Sequence, residues 1–232
     1  MDTAIGGRGA TGDDSFDVVP YSWLHMCDNI MDPYHVYVLH STFTGLQFAP
    51  DFARMPKKVD FFNADHGVCY SALRDMPDGR IYDRTSSYLL PNIMSVPPFM
   101  NVGESRSISM SWVVPVDDSH YFQVITERCR ESRFEGPRPS ALGKAWGDMT
   151  EAERRELPND FEAQEGQGPI SLHSEEHLVT SDKGIAMQRR LLARQIKAVQ
   201  EGGDPLGVTF DPAQAVVKVR SGNFYRLPQA AE

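Results

Sequence analysis

The sequence predicts an α+β domain in which an antiparallel sheet wraps on a long C-terminal helix. Three observations carry that expectation. Short segments rich in β-branched and aromatic residues follow one another between Lys58 and Glu127. Turn formers separate them. One long amphipathic stretch comes after them, near the C-terminus.

Taken in order, residues 1–17 read as a flexible tail, because Gly6, Gly7, Gly9 and Gly12 punctuate it without any apolar period. From Val18 to His40 the chain is apolar and aromatic, and reads as helical. Within it, Asp32 followed by Pro33 marks a helix start, an N-cap carboxylate and then proline at the first helical position. Strands are expected over 59–62, 68–73, 86–90, 107–114 and 121–126. Pro77-Asp78-Gly79 and Asp117-Asp118 supply turns, which suggests a meander. Alternation is clearest from Ser107 to Trp112, where every second residue is apolar. Residues 131–170 form a polar connection, inside which Thr150 and Glu153 match a capping box. The strongest helix is expected over 182–201: Ile185, Leu192, Ile196 and Val199 fall near one face, and Gly202-Gly203 ends it.

Composition narrows the function. With 232 residues, 41% hydrophobic and 24% charged, the chain can bury a substantial core. A formal net charge of −9 opposes a nucleic-acid partner, since phosphate binding needs a basic surface. No apolar run approaches the roughly 18 residues of a membrane helix. The first residues lack the apolar stretch of a signal peptide, so a cytoplasmic location is expected. Cys27, Cys69 and Cys129 are too few and too scattered for a disulfide framework, and are expected to be reduced.

The chemistry concentrates between Asn29 and His40, which read N-x2-D-x2-H-x4-H. Two imidazoles and a carboxylate from elsewhere make a face that leaves positions open on Fe(II) for O2 and substrate. Residues five apart on a regular helix are rotated by about 140°, so both rings reach one ion only if the helix is bulged or broken between them. By spacing alone the pair reads equally well as two ordinary histidines, one packed and one solvated. A second motif, His173 to His177, fits H-x-x-E-H, a zinc-peptidase pattern, but lacks a convincing further carboxylate downstream.

The longer run Tyr21-Ser22-Trp23-Leu24, Asn29, Asp32-Pro33-Tyr34-His35 and Leu39-His40 resembles the iron-site signature of Rieske oxygenase large subunits, most of all the phthalate and carboxylated-aromatic branch. Further matches follow in order. These are Trp112 to Asp118 with His120, then Asp160 with the run Gln164 to Ile170, then Glu176-His177-Leu178 with Ser181-Asp182. The resemblance implies a helix-grip (START/Bet v1-like) catalytic domain over 18–228, with His35, His40 and Asp160 as iron ligands. Glu162 and Glu165 are the alternatives to Asp160, whose own other reading is a helix cap. It also implies that Asp32 joins the iron-site histidine to the Rieske cluster of a neighbouring subunit, its carboxylate accepting from the ring nitrogen. Asn29 corresponds to a polar residue near the iron.

The implied function is hydroxylation or oxidative demethylation of an aromatic substrate with mononuclear Fe(II) and O2. A reductase or ferredoxin using NAD(P)H would supply electrons to a homotrimer. The alternative is a helix-grip module that binds a small aromatic or apolar ligand without catalysis. The C-x-H … C-x2-H pattern of a [2Fe–2S] domain is absent from the sequence. That domain is expected either on a missing part of the protein, the favoured reading, or on another polypeptide.

Overall fold

The structure, a computed structural model, describes residues 4–5, 18–43, 50–97, 108–128 and 149–227. Its centre is an antiparallel sheet of β1 (Ala4–Ile5), β2 (Lys58–Ala64), β3 (Gly67–Asp75), β4 (Ile81–Leu89), β5 (Ile93–Val96), β6 (Ile108–Asp117), β7 (His120–Arg128) and β8 (Gly222–Arg226). The strands lie in the order β1-β7-β6-β5-β4-β3-β2, and β8 also pairs with β4. The strand-and-helix expectation therefore holds, and the meander with it. The polar connection over 131–148, Cys129 and most of residues 1–17 lie outside the described residues; within that first stretch, Ala4 and Ile5 pair with Glu127 and Thr126.

β4 is the strand on which the others depend. One edge pairs with β3 along its whole length. The other edge is divided, with residues 81–85 bonded to β8 and residues 87–89 to β5. The strand expected over 86–90 therefore begins five residues earlier, and the added stretch includes the polar Asp83, Arg84 and Thr85. They are nevertheless buried. Arg84 lies over the Phe52 ring, 4.0 Å from its centroid, and donates to Asn223 Oδ1 at 2.9 Å and to the Pro97 carbonyl at 2.6 Å. Ser71 donates to Asp83 at 2.6 Å. β5 and β8 were not anticipated. Each is short, and the open edge of β4 specifies it more than its own side chains do.

One face of the sheet packs on α1 (Trp23–Ile30) and α5 (Lys183–Gln200). Tyr21, Cys27 and Met31 meet Val68, Tyr70 and Tyr88 there, with Leu191 closing from α5. Cys27 and Cys69 are buried free thiols. α5 lies where the periodicity put it and ends in Gly202 at φ 86°, a left-handed residue. Its packed face coincides with the expected one only in part: Ile185 and Leu192 pack against the core. Gly184, Gln188 and Leu191 are buried, whereas Ile196 and Val199 are exposed. The reason is the close approach at Gly184: a Cβ there would stand 2.4 Å from the Phe61 ring and 2.7 Å from the Met31 carbonyl oxygen. That contact rolls the glycine side of the helix onto the sheet. Among the described residues, no helix is long and apolar enough to cross a membrane.

Arg189 of α5 ties the layers together. Its guanidinium donates to both Asp28 oxygens, at 3.2 and 2.6 Å, and to Glu176 Oε1 at 2.9 Å. Two carboxylates on one fork form a bidentate arrangement that Lys cannot reproduce.

Two stability changes follow. Gly184→Ala should cost about 1–3 kcal/mol through overpacking, read as a lower urea midpoint at unchanged m. Arg189→Met should cost about 2–3 kcal/mol, because it strands two half-buried carboxylates, and adding Asp28→Asn and Glu176→Gln should recover more than half of that. A triple variant no more stable than Arg189→Met would refute the ion-pair account.

Candidate metal centre

α1 begins at Ser22, whose hydroxyl accepts the Leu24 N–H, and ends at Met31. Asp32 then acts as a cap. Its Oδ1 accepts the N–H groups of Tyr34 at 2.9 Å and His35 at 3.3 Å. The regular turn that follows, α2 (His35–Tyr37), is three residues long and passes directly into a π-helix over Val38–Phe43. The helix widens because two hydroxyls serve its carbonyls. Ser41 donates to the Tyr37 carbonyl at 2.5 Å, and Thr42 to that of Val38 at 2.6 Å. With i→i+5 pairing, residues five apart come onto one side. The rings of His35 and His40 stand 5.4 Å apart between centroids, at 71°. The bulge that the H-x4-H spacing demands is present.

Asp160 reaches this pair from far along the chain. It is the first residue of α4 (Asp160–Glu165), whose cap is Asn159. The Asn159 side chain accepts from Phe161 N at 2.8 Å, and Glu162 returns the favour by accepting from Asn159 N at 2.9 Å. The capping work is thus done by Asn159 and Glu162. The Asp160 carboxylate is left to turn inward, where its Oδ1 lies 3.5 Å from His35 Nε2 and 3.1 Å from His40 Nε2. Asn29 donates to the same oxygen at 2.8 Å. Crowding by protein atoms opposes ionisation of Asp160, but the His40 hydrogen bond and the two imidazoles outweigh it and hold the carboxyl below its usual range.

Proton placement at His35 follows from its other nitrogen. Nδ1 bonds the main-chain carbonyl of Asp32. A carbonyl can only accept, so Nδ1 carries a proton, which leaves Nε2 as the nitrogen able to offer a lone pair to an ion on the side of Asp160 and His40. This departs from the expected arrangement at one point: the carbonyl of Asp32 takes the ring N–H, because its carboxylate is engaged in capping.

The donor set fits a single divalent cation. One atom from each of His35, His40 and Asp160 lies within 4.8 Å of the others. Ligands about 2.1 Å from one ion and at right angles are about 3 Å apart, close to the 3.1 and 3.5 Å separations here. Among the described residues no other such group exists. Glu162 is spent on its cap, and Glu165 is exposed. The H-x-x-E-H run does not form a helical ligand face. His173 to Glu175 make a single 3₁₀ turn, and Glu176 is held by Arg189. His120 pairs with Asp117 at 2.9 Å in an exposed turn. The sequence reading missed the Asp28–Arg189 clamp beneath Asn29; an aspartate next to Asn29 and an arginine on the apolar side of α5 were the only signals for it.

No family model matches the chain. The alpha subunit of phenoxybenzoate dioxygenase from Ectopseudomonas oleovorans is 50% identical over 215 residues, covering 92% of this chain and 52% of that protein. The oxygenase subunit of 5,5'-dehydrodivanillate O-demethylase from Sphingobium sp. (strain NBRC 103272 / SYK-6) is 30% identical over 207 residues, 84% of this chain and 46% of that protein. The chain therefore spans about half the length of the curated relatives it matches. Among solved structures, NdmA of Pseudomonas putida CBB5 with caffeine superposes with a TM-score of 0.57 at 17% identity, over 87% of this chain and 54% of that one. NdmB of the same organism gives 0.55 at 17%, over 87% and 52%. At such identities these two establish a shared fold. Two helical histidines facing a distant aspartate and 50% identity to an oxygenase alpha subunit lead to one conclusion: the chain is homologous to the oxygenase subunits of Rieske-type systems, over about half of their length.

Proposed function

We propose that this chain is the catalytic domain of a Rieske-type mono- or dioxygenase. It would bind mononuclear Fe(II) through His35, His40 and Asp160, and direct O2 to an aromatic substrate for hydroxylation or oxidative demethylation. The observation that carries the reading is the convergence of two imidazole nitrogens and one carboxylate oxygen within 4.8 Å. Bound there, Fe(II) supplies the one-electron and O2 chemistry that side chains lack.

The remaining work belongs to the protein. The Asp32 carbonyl holds the His35 proton on Nδ1, so that Nε2 stays a lone-pair donor. Asn29 steers the Asp160 carboxylate and takes up lone-pair capacity that would otherwise turn away. His40 is almost fully buried, which keeps bulk water from that side. We assign Asp32 and Asn29 as supporting catalytic residues. Asp32 also caps the histidine-bearing turn, so its loss would displace both rings. In the extended reading, residues 18–228 make up the catalytic domain, of helix-grip type with the sheet wrapped on α5, and residues 1–17 are a tail apart from the pairing of Ala4 and Ile5 with β7.

The relatives' names supply the wider frame. One acts on phenoxybenzoate and another is an O-demethylase, which favours an aromatic ether or aromatic acid as substrate. Both are named as subunits, which supports separate electron-donating components, a reductase or ferredoxin that draws on NAD(P)H; a homotrimeric assembly is part of the same proposal. The residues here do not fit a [2Fe–2S] cluster: the sequence has no C-x-H … C-x2-H pattern, and we assign no cluster to this chain.

Protein purified without oxygen and loaded with Fe(II) should hold about one iron per chain by elemental analysis. His35→Ala, His40→Ala and Asp160→Ala should each fall to about a tenth of that or less, while Glu162→Gln and Glu165→Gln keep it. Undiminished iron in Asp160→Ala, or loss in Glu165→Gln, would overturn the ligand assignment.

A further inference from the structure

The interface between α1 and α4 holds a second pair of polar side chains, one helical turn from the Asn29–Asp160 bond. His25 lies four residues before Asn29, and Gln164 four residues after Asp160, so each shares a helix face with its neighbour. The two helices run antiparallel. The end of α1 meets the start of α4 through Asn29 and Asp160. The beginning of α1 meets the chain just beyond α4, where Ser22 N–H donates to the Pro169 carbonyl at 2.8 Å and His25 Nε2 stands 2.7 Å from Ser171 Oγ. His25 and Gln164 therefore occupy opposed positions.

Both are interior, at 5% and 2% exposure. Ser171 Oγ stands 2.7 Å from His25 Nε2 and 3.3 Å from Gln167 Oε1, so the hydroxyl engages one nitrogen of the ring. Nδ1 is left to a further partner, as acceptor or donor according to the tautomer. Burial, with the nearby Arg189 charge, pulls the His25 pKa down and favours the neutral ring. Among the described residues, neither this Nδ1 nor either amide atom of Gln164 has a hydrogen-bond partner. Buried polar atoms without partners are rare, and three of them around one interface match the two to four bonds of an internal water.

We propose that His25 and Gln164, joined through one buried water, form a second polar rung between α1 and α4. They act as positioning residues, fixing the register of α4 so that Asp160 faces His35 and His40. The inference rests on the reading that Asp160 is a metal ligand. It requires nothing from the substrate or the electron donor.

The test measures metal, not turnover. Fe(II) affinity is obtained by anaerobic competition with a chelator, and site geometry from the visible absorption of the Co(II)-loaded protein. Gln164→Leu and His25→Leu should each weaken Fe(II) binding about 10–100-fold and shift the Co(II) bands. The double variant should lose little more than either single one, as expected for two ends of one rung. His25→Asn, which keeps a polar atom near the Nδ1 position, should restore most of the affinity. Should Gln164→Leu lower the melting temperature while the folded protein keeps its Fe(II) affinity and Co(II) spectrum, the pair is filler and the proposal fails alone. Multiplied losses in the double variant would reject the rung in the same way. A wild-type chain that binds neither metal removes the ligand reading and this inference together.

Discussion

One oxygen of Asp160 is met by the amide of Asn29 and by a ring nitrogen from each of two histidines, groups 120 to 131 residues away along the chain. The architecture around it serves to hold those partners within reach. α4 must start at residue 160 and not a turn earlier or later, because only the first helical position leaves a carboxylate free while its neighbours cap. Asn159 and Glu162 satisfy the exposed N–H groups of that helix end. Without them the Asp160 oxygens would be drawn to capping, and the centre would lose its third arm.

The histidine side of the centre rests on a comparable exchange. A wide helical turn is costly when it leaves carbonyls without partners. Here Ser41 and Thr42 lend their hydroxyls to the carbonyls of Tyr37 and Val38. Five-residue spacing between His35 and His40 becomes usable as a result. The same economy appears at Asp32, whose carboxylate caps the turn and whose carbonyl sets the tautomer of His35.

Beneath this centre the protein is more polar than its composition suggests. Arg84, Asp83 and Ser71 lie within the sheet, and Arg189 joins α5 to Asp28 and Glu176. Such groups are tolerated because each finds a partner across an element boundary. They also specify the assembly, since a sliding helix or a slipped strand would leave charges unmatched. Gly184 adds the complementary apolar constraint, a close approach that no side chain could share.

Local pattern alone determined a good deal of this. The strand β6, the capping box at Thr150 and Glu153, the span of α5 and the need for a bulge between His35 and His40 are each encoded within a few residues, and each is found, although in β6 the buried residues are Ser111 and Val113 and not the alternating apolar set. Resemblance added Asp160 to the two histidines. Tertiary structure decided what no window contains. β5 and β8 exist because β4 offers an open edge, and Ile196 and Val199 face solvent because Gly184 rolls α5 the other way. The partners of Asp28 and the opposed faces of α1 and α4 depend on contacts more than a hundred residues apart, where only the packed chain brings the groups together.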